Sequence, residues 1–245
     1  MITLRRDRER HHVRRRRQDV WLSFDPQDRT DLLTDGFGVL EDLNENRLPP
    51  GASVSTHPRQ EAEIVTYVLE GALAQDESTG RSGVIHTSEF QLMTTGRHVR
   101  YGERNASQTS WAHVFRMSLH PSESGLDCTH EQKLFSVAER RGELCVVASP
   151  DGRRGSLRLH QDALIYSSIL DPGQHLVHEL PQGRIVWLHV VSGEATLDDL
   201  VLAAGDGVGV TAEPAVSFTA REETEILLVD LGEHPPKSPG NGGVP

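Results

Sequence analysis

Ser55 to Gly71 reads STHPRQEAEIVTYVLEG, and the side chains in it that could do chemistry at close spacing are His57 and Arg59. Residues two apart on a strand project to the same side, so this pair would face one interior together. Two imidazoles at that spacing, joined by a carboxylate, would suit a redox-active metal ion. Arg59 cannot belong to such a set. A guanidinium has no lone pair to donate and stays charged at any ordinary pH. Beside a divalent ion, at ~5 Å and an effective dielectric of about 20, each unit of like charge costs on the order of 3 kcal/mol.

Other histidines offer less. His86, His98 and His113 lie in the first half and could approach the same interior. His175 and His178 are three apart, which is not a same-face strand spacing, and no acidic partner follows at the spacing a shared site would need; they and His189 are expected to be structural or surface residues. Cys128 and Cys145 form no CxxC, so neither a disulfide framework nor a zinc knuckle is indicated. GDGVGV (Gly205 to Val210) is a turn before a strand rather than a phosphate loop opening a helix. No GxSxG elbow exists, and hydrolase chemistry has no support. Trp21, Trp111 and Trp187 are expected to be core or interdomain anchors.

The elements that must position these groups are strands. EIVTYVLEG, EFQLMTTG, WAHVFRMSL, ELCVVASP, RIVWLHVVSG and EILLVDLG are short, rich in β-branched residues and bounded by glycine or proline. Clear helical periodicity is missing, so the chain reads as mostly β. TYVLEGALAQD and LHVVSGEATLDD repeat a strand–glycine–strand unit, which predicts two related β-barrels in tandem, joined within His120 to Phe135.

The 245 residues are 36% hydrophobic with a net charge of -11, a soluble globular composition. No apolar run approaches the roughly 20 residues of a membrane-spanning helix, and MITLRRDRERHH has no signal-like apolar region, so a cytoplasmic location is expected. Residues 1 to 20 carry eight arginines against Asp7, Glu9 and Asp19, a net of +5, which leaves -16 on the remainder. An acidic chain does not attract nucleic acid by its overall field, although Arg14 to Arg17 could grip phosphates locally. A solvated, partly mobile arm is expected there. The tail GEHPPKSPGNGGVP is expected to be disordered.

Taken together, Gly36-Phe37, THP (Thr56 to Pro58), TYVLEG (Thr66 to Gly71), EFQLM (Glu89 to Met93), ASPDGRRGSLRLHQD (Ala148 to Asp162) and RIVW (Arg184 to Trp187) resemble the pirin family over roughly residues 1 to 231. Pirins are bicupins, some bacterial members being quercetinase-like dioxygenases. The resemblance implies an all-β fold of two tandem jelly-roll cupin domains. An arginine-rich arm would span 1–20, an N-terminal cupin 21–130, a C-terminal cupin 131–232 and a disordered tail 233–245. It implies that His160-Gln161-Asp162 ties the domains together and that the C-terminal barrel lacks a metal. It also implies one iron-type ion in the first barrel, held by H-P-H and H-x-E motifs. This sequence places His57, Arg59, Tyr101 and Glu103 at those four positions, so two of the four ligands remain. His98 stands where the family usually has glycine.

The expectation is therefore a degenerate metal site, with an Arg59–Glu103 ion pair in place of the ion and His57 and the Tyr101 hydroxyl beside it. No cofactor is expected, and the chain reads as a small-ligand-binding or regulatory protein without dioxygenase activity. The expected ligand is small and polar or aromatic, with scope for a protein partner, no membrane, nucleic acid only through the arginine run, and a monomeric state. The alternative is a quercetin 2,3-dioxygenase-like enzyme that holds a single iron, nickel or copper ion with His57, Tyr101 and Glu103. A third form is metal-free acid–base catalysis by His57 and Glu103.

Overall fold

A computed structural model describes residues 1–15, 18–55, 62–77, 80, 82–95 and 101–232. Among these the chain is built almost entirely of strands. First come β1 (Ile2–Arg5), β2 (His11–Arg15), β3 (Gln18–Leu22), β4 (Leu40–Leu48), β5 (Ser53–Ser55), β6 (Glu63–Glu70), β7 (Ala72–Glu77), β8 (Ser82–His86), β9 (Glu89–Thr94), β10 (Tyr101–Asn105), β11 (Ala112–Leu119) and β12 (Thr129–Leu134). A single turn of helix, α1 (Val137–Arg140), follows. The second half holds β13 (Cys145–Ser149), β14 (Leu157–Arg158), β15 (Ala163–Leu170), β16 (His175–Glu179), β17 (Ile185–Ser192), β18 (Glu194–Leu197), β19 (Leu200–Ala203), β20 (Gly207–Val210), β21 (Ala215–Ala220) and β22 (Thr224–Leu231). No described helix is long and apolar enough to cross a membrane.

Each half pairs a seven-stranded sheet with a four-stranded one. The N-terminal half has the order β12-β9-β6-β11-β4-β3-β2 facing β5-β10-β7-β8; the C-terminal half has β1-β20-β17-β22-β15-β13-β14 facing β16-β21-β18-β19. The two large sheets pack on each other through a central core that includes Tyr67, Phe90, Phe115 and Met117 from one half and Ile165, Trp187, Leu227 and Val229 from the other. Their inner strands are covered on both faces, whereas β12 at the edge is mostly exposed. All six apolar-rich runs picked out in the sequence lie in these sheets, which explains why some of them are continuously apolar rather than alternating. Strands of the small sheets face water on one side and alternate, as in the buried-exposed pattern of β10.

The repeated strand–glycine–strand units mark the same event twice. At Gly71 the chain leaves the large sheet after β6 and enters the small sheet as β7; at Gly193 it does so between β17 and β18. Both glycines have positive φ (79° and 80°), and a Cβ would run into the Trp111 carbonyl in one case and the Glu223 carbonyl in the other. Only glycine takes that corner without strain.

The arginine-rich amino terminus departs from expectation. Rather than a solvated, partly mobile arm, its described part is folded. β1 pairs antiparallel with β20 of the C-terminal half, and β2 forms a hairpin with β3 on the N-terminal sheet. Arg5 pairs with Asp31, Arg6 Nη1 lies 2.7 Å from Asp206 and Arg10 Nη1 lies 2.8 Å from Glu45. Residues 16 and 17 of the RRRR run, and the whole 233–245 tail, lie outside the described residues. β12 spans the expected 130/131 division and belongs with β9 of the first half. Trp187 is fully buried, as an anchor should be, but Trp111 is 52% exposed and anchors no core. Trp21 stacks on His12, with the guanidiniums of Arg10 and Arg47 also close to its ring.

Candidate functional site

The two barrel interiors differ in kind. Between the sheets of the C-terminal half the filling is mostly apolar, with Leu188, Val190, Leu202, Val208, Phe218 and Leu228 among its residues, and the buried carboxylate of Asp230 is met there by His178 and Arg184. The N-terminal interior is split. One apolar cluster contains Leu48, Val68, Leu73 and Val114, a second contains Ala62, Ile64, Met93 and Tyr101, and polar side chains lie between them. Alternation along the strands produces this band: Thr66 falls between Ile64 and Val68, and Glu103 lies two residues from Tyr101, all on inward positions.

Glu103 is the centre of the band. Its side chain is 1% exposed, and it sits opposite Gln75 in the β10–β7 register. Gln75 Nε2 donates to Glu103 Oε1 at 2.9 Å. Arg116, reaching across from β11 in the facing sheet, donates from Nη2 to Glu103 Oε2. Both carboxylate oxygens are thus engaged by protein donors. The Arg116 side chain is only 14% exposed. Burial alone would pull its pKa down, but the charge of Glu103 and the hydrogen bond to it outweigh burial and raise it. The guanidinium is a fixed cation.

Arg116 also belongs to a row. It lies directly opposite Asn44 on β4 and Thr66 on β6, and Thr66 lies opposite Gln91 on β9, so four polar side chains stand side by side on the inward face of the large sheet. Asn44 Oδ1, Gln91 Oε1 and Arg116 Nε are buried with no hydrogen-bond partner among the described residues. Two acceptors and one donor on the inward face are therefore unmet among the described residues, although buried polar atoms are ordinarily paired.

Of the residues expected at the site, the structure places Tyr101 and Glu103 together on β10, both buried. His57, Arg59 and His98 lie outside the described residues, and so does the expected Arg59–Glu103 pair. Reasoning from the ligand motifs missed Arg116 and Gln75. A signal for Arg116 was present: it is the one charged residue among the positions of β11 that share the inward phase of Ala112 and Val114.

The other histidines do not join the site. His113 points to the opposite face of β11, where its Nε2 meets Glu45 Oε1 at 2.8 Å, and His86 is exposed. Glu45 is held down to about 2; burial pushes it up, but the bond to His113 and the charge of Arg10 win. In the second half His175 is exposed and bonded to Thr219, His178 meets Asp230 at 2.8 Å, and His189 is buried in the interdomain core. His160 joins the halves: its backbone N–H donates to Glu63 Oε1 at 2.8 Å and its ring Nδ1 lies 3.0 Å from the same oxygen.

Residues 5–118 match the pirin family profile, and residues 146–231 match that of the quercetinase C-terminal cupin domain. The chain is 34% identical over 231 residues to a quercetin 2,3-dioxygenase of Escherichia coli strain K12, covering 94% of this chain and 99% of that one. The chain belongs to the pirin family. As a fold, this pirin superposes on the bacterial pirin YhhW of Escherichia coli, solved in complex with nickel(II), with a TM-score of 0.89 at 33% identity over 96% of this chain and 100% of that one. A quercetin 2,3-dioxygenase from Acinetobacter baumannii, at 20% identity and TM-score 0.72, shares the fold over 93% of this chain and 84% of its own. The architecture is a bicupin.

Such relatives raise the question of a metal ion in the N-terminal barrel. The described residues of this pirin do not fit one. Glu103, the carboxylate at the expected ligand position, has a guanidinium on one oxygen and an amide on the other. Tyr101 presents a phenol where an imidazole would serve, and no group of three or more His, Cys, Asp or Glu suited to an ion occurs among the described residues. A divalent ion at Glu103 would have to displace the resident cation or sit against it.

Proposed function

We propose that this pirin is a metal-free, small-ligand-binding or regulatory protein that uses its N-terminal barrel as the binding site and has no dioxygenase activity. The observation that carries this reading is the engagement of both Glu103 oxygens, by Arg116 and Gln75. The unmet acceptors of Asn44 and Gln91 supply contacts for a ligand bearing hydroxyl or amide donors. A cytoplasmic, monomeric protein is part of the proposal. Metal content measured by mass spectrometry, on protein purified without a chelating tag, tests it. Iron, nickel and copper far below one equivalent per chain, together with no oxygen uptake in the presence of quercetin, is the expected result. One equivalent of metal that is lost on His57→Ala would overturn it.

The second reading is the reaction named for the Escherichia coli relative, favoured by identity that runs the length of the chain. It would need His57, Tyr101 and Glu103 to hold an ion and Arg116 to give up Glu103. Oxygen uptake with quercetin that is abolished by chelation would establish it.

A further inference from the structure

We infer that Arg116 is the built-in cation of the N-terminal barrel: it occupies the side of Glu103 that a metal ion would need, and so excludes metal independently of the residues at positions 59 and 101. This inference rests on the metal-free reading and deepens it. Counting missing ligands predicts that two histidines would repair the site. The structure predicts that they would not.

Glu103 is 1% exposed, and a carboxylate so placed requires a compensating charge. In a metal-binding barrel the ion supplies it. Here the compensation comes from Arg116, whose backbone is fixed in mid-strand between β4 and β6 and whose neighbours two residues away, Val114 and Ser118, are buried. The guanidinium therefore projects into the space between the sheets and meets β10 from the far side. The charge of Asp42 adds to the field that holds it protonated. New imidazoles at 59 and 101 would bring lone pairs to the barrel but would leave a permanent cation in contact with the carboxylate ligand. Replacing Arg116 with glutamine removes the charge and keeps an amide that can still donate to Glu103, next to the amide of Gln75.

Nickel(II) titration by calorimetry on four full-length, tag-free proteins tests this: the natural sequence, Arg59→His/Tyr101→His, Arg116→Gln, and the variant carrying all three substitutions. The triple variant is expected to bind one equivalent about 100-fold more tightly than Arg59→His/Tyr101→His, the size of effect a contacting charge can have. Equal affinity of the double and triple variants overturns the inference while leaving the metal-free reading intact. Stoichiometric metal in the natural sequence instead defeats that underlying reading. If Arg116→Gln prevents folding of the triple variant, thermal melts decide the matter. Arg116→Gln/Glu103→Gln should then melt above Arg116→Gln alone, because the uncompensated carboxylate is gone; a melt at or below it overturns the inference.

Discussion

Tyr67, on β6 of the N-terminal half, donates its hydroxyl to Glu225 Oε1, on β22 of the C-terminal half, at 2.6 Å. Arg140, from the helical turn between the halves, closes the network: its Nη1 lies 2.7 Å from the same Glu225 oxygen, 3.0 Å from the Tyr67 hydroxyl and 3.1 Å from Ser167. Burial, and then the charge of Glu225, push the Tyr67 phenol well above its ordinary range, so it stays a neutral donor. The two halves are therefore joined by a buried, charge-assisted network as well as by an apolar core. Arg140→Met strands Glu225 and is expected to cost about 3–5 kcal/mol. Tyr67→Phe removes one neutral partner and is expected to cost about 1–2 kcal/mol. Urea denaturation measures both, and equal effects would contradict this assignment.

His189 makes the fold acid-sensitive. Its ring is fully buried, neither nitrogen has a partner among the described residues, and burial, with Arg10 adding to it, depresses its pKa to about 3 from an ordinary 6.5. The unfolded chain therefore takes up a proton below pH 6.5 that the folded chain refuses until about pH 3. Stability present above pH 6.5 is lost as pH falls through that window, by up to about 1.4 kcal/mol per pH unit. His189→Leu should flatten this limb between pH 7 and 5, leaving the loss near pH 2–4.5 that comes from protonating Glu45. An unchanged pH slope in the variant would show that His189 is not the group responsible.

The two sheet-crossing glycines should respond alike. In Gly71→Ala and Gly193→Ala the new methyl meets a carbonyl while φ remains positive. Each substitution is expected to destabilise by roughly 2 kcal/mol or more, read as a lower denaturation midpoint with an unchanged slope. Tolerance at both positions would contradict the idea that one corner is used twice.

The amino terminus should matter for folding more than for binding. Deleting residues 1–5 removes β1 from β20, along with the Arg5–Asp31 pair, and uncovers a sheet edge. The truncated chain should melt lower than the full-length protein, and the full-length protein should show only weak, salt-sensitive binding to duplex DNA, since Arg5, Arg6 and Arg10 are already paired. An unchanged melt on deleting residues 1–5, or tight DNA binding by the full-length protein that is lost when residues 1–17 are removed, would reinstate the amino terminus as a nucleic-acid arm.

Much of this architecture is legible in the amino acids because burial on two faces leaves a local mark. β6, β9, β11, β13, β17 and β22 are rich in apolar residues, and each lies in one of the two large sheets that pack on each other. Gly71 and Gly193 mark the repeat for the same reason, since a tight corner admits one residue type. The arginines of the amino terminus misled because their partners, Asp31, Asp206 and Glu45, are remote in the chain. Charge runs look alike whether they are solvated or paired.

The sequence alone determined the family, the two-barrel plan and the fact that a glutamate and a tyrosine end up on one inward-facing strand. It also carries the expectation that two imidazoles of the metal set are replaced, by Arg59 and Tyr101. Only the tertiary structure decided what compensates Glu103. Residues 103 and 116 lie on strands of opposite sheets, and whether their side chains meet depends on how those sheets close around the barrel, a property that neither strand carries in its own pattern of residues.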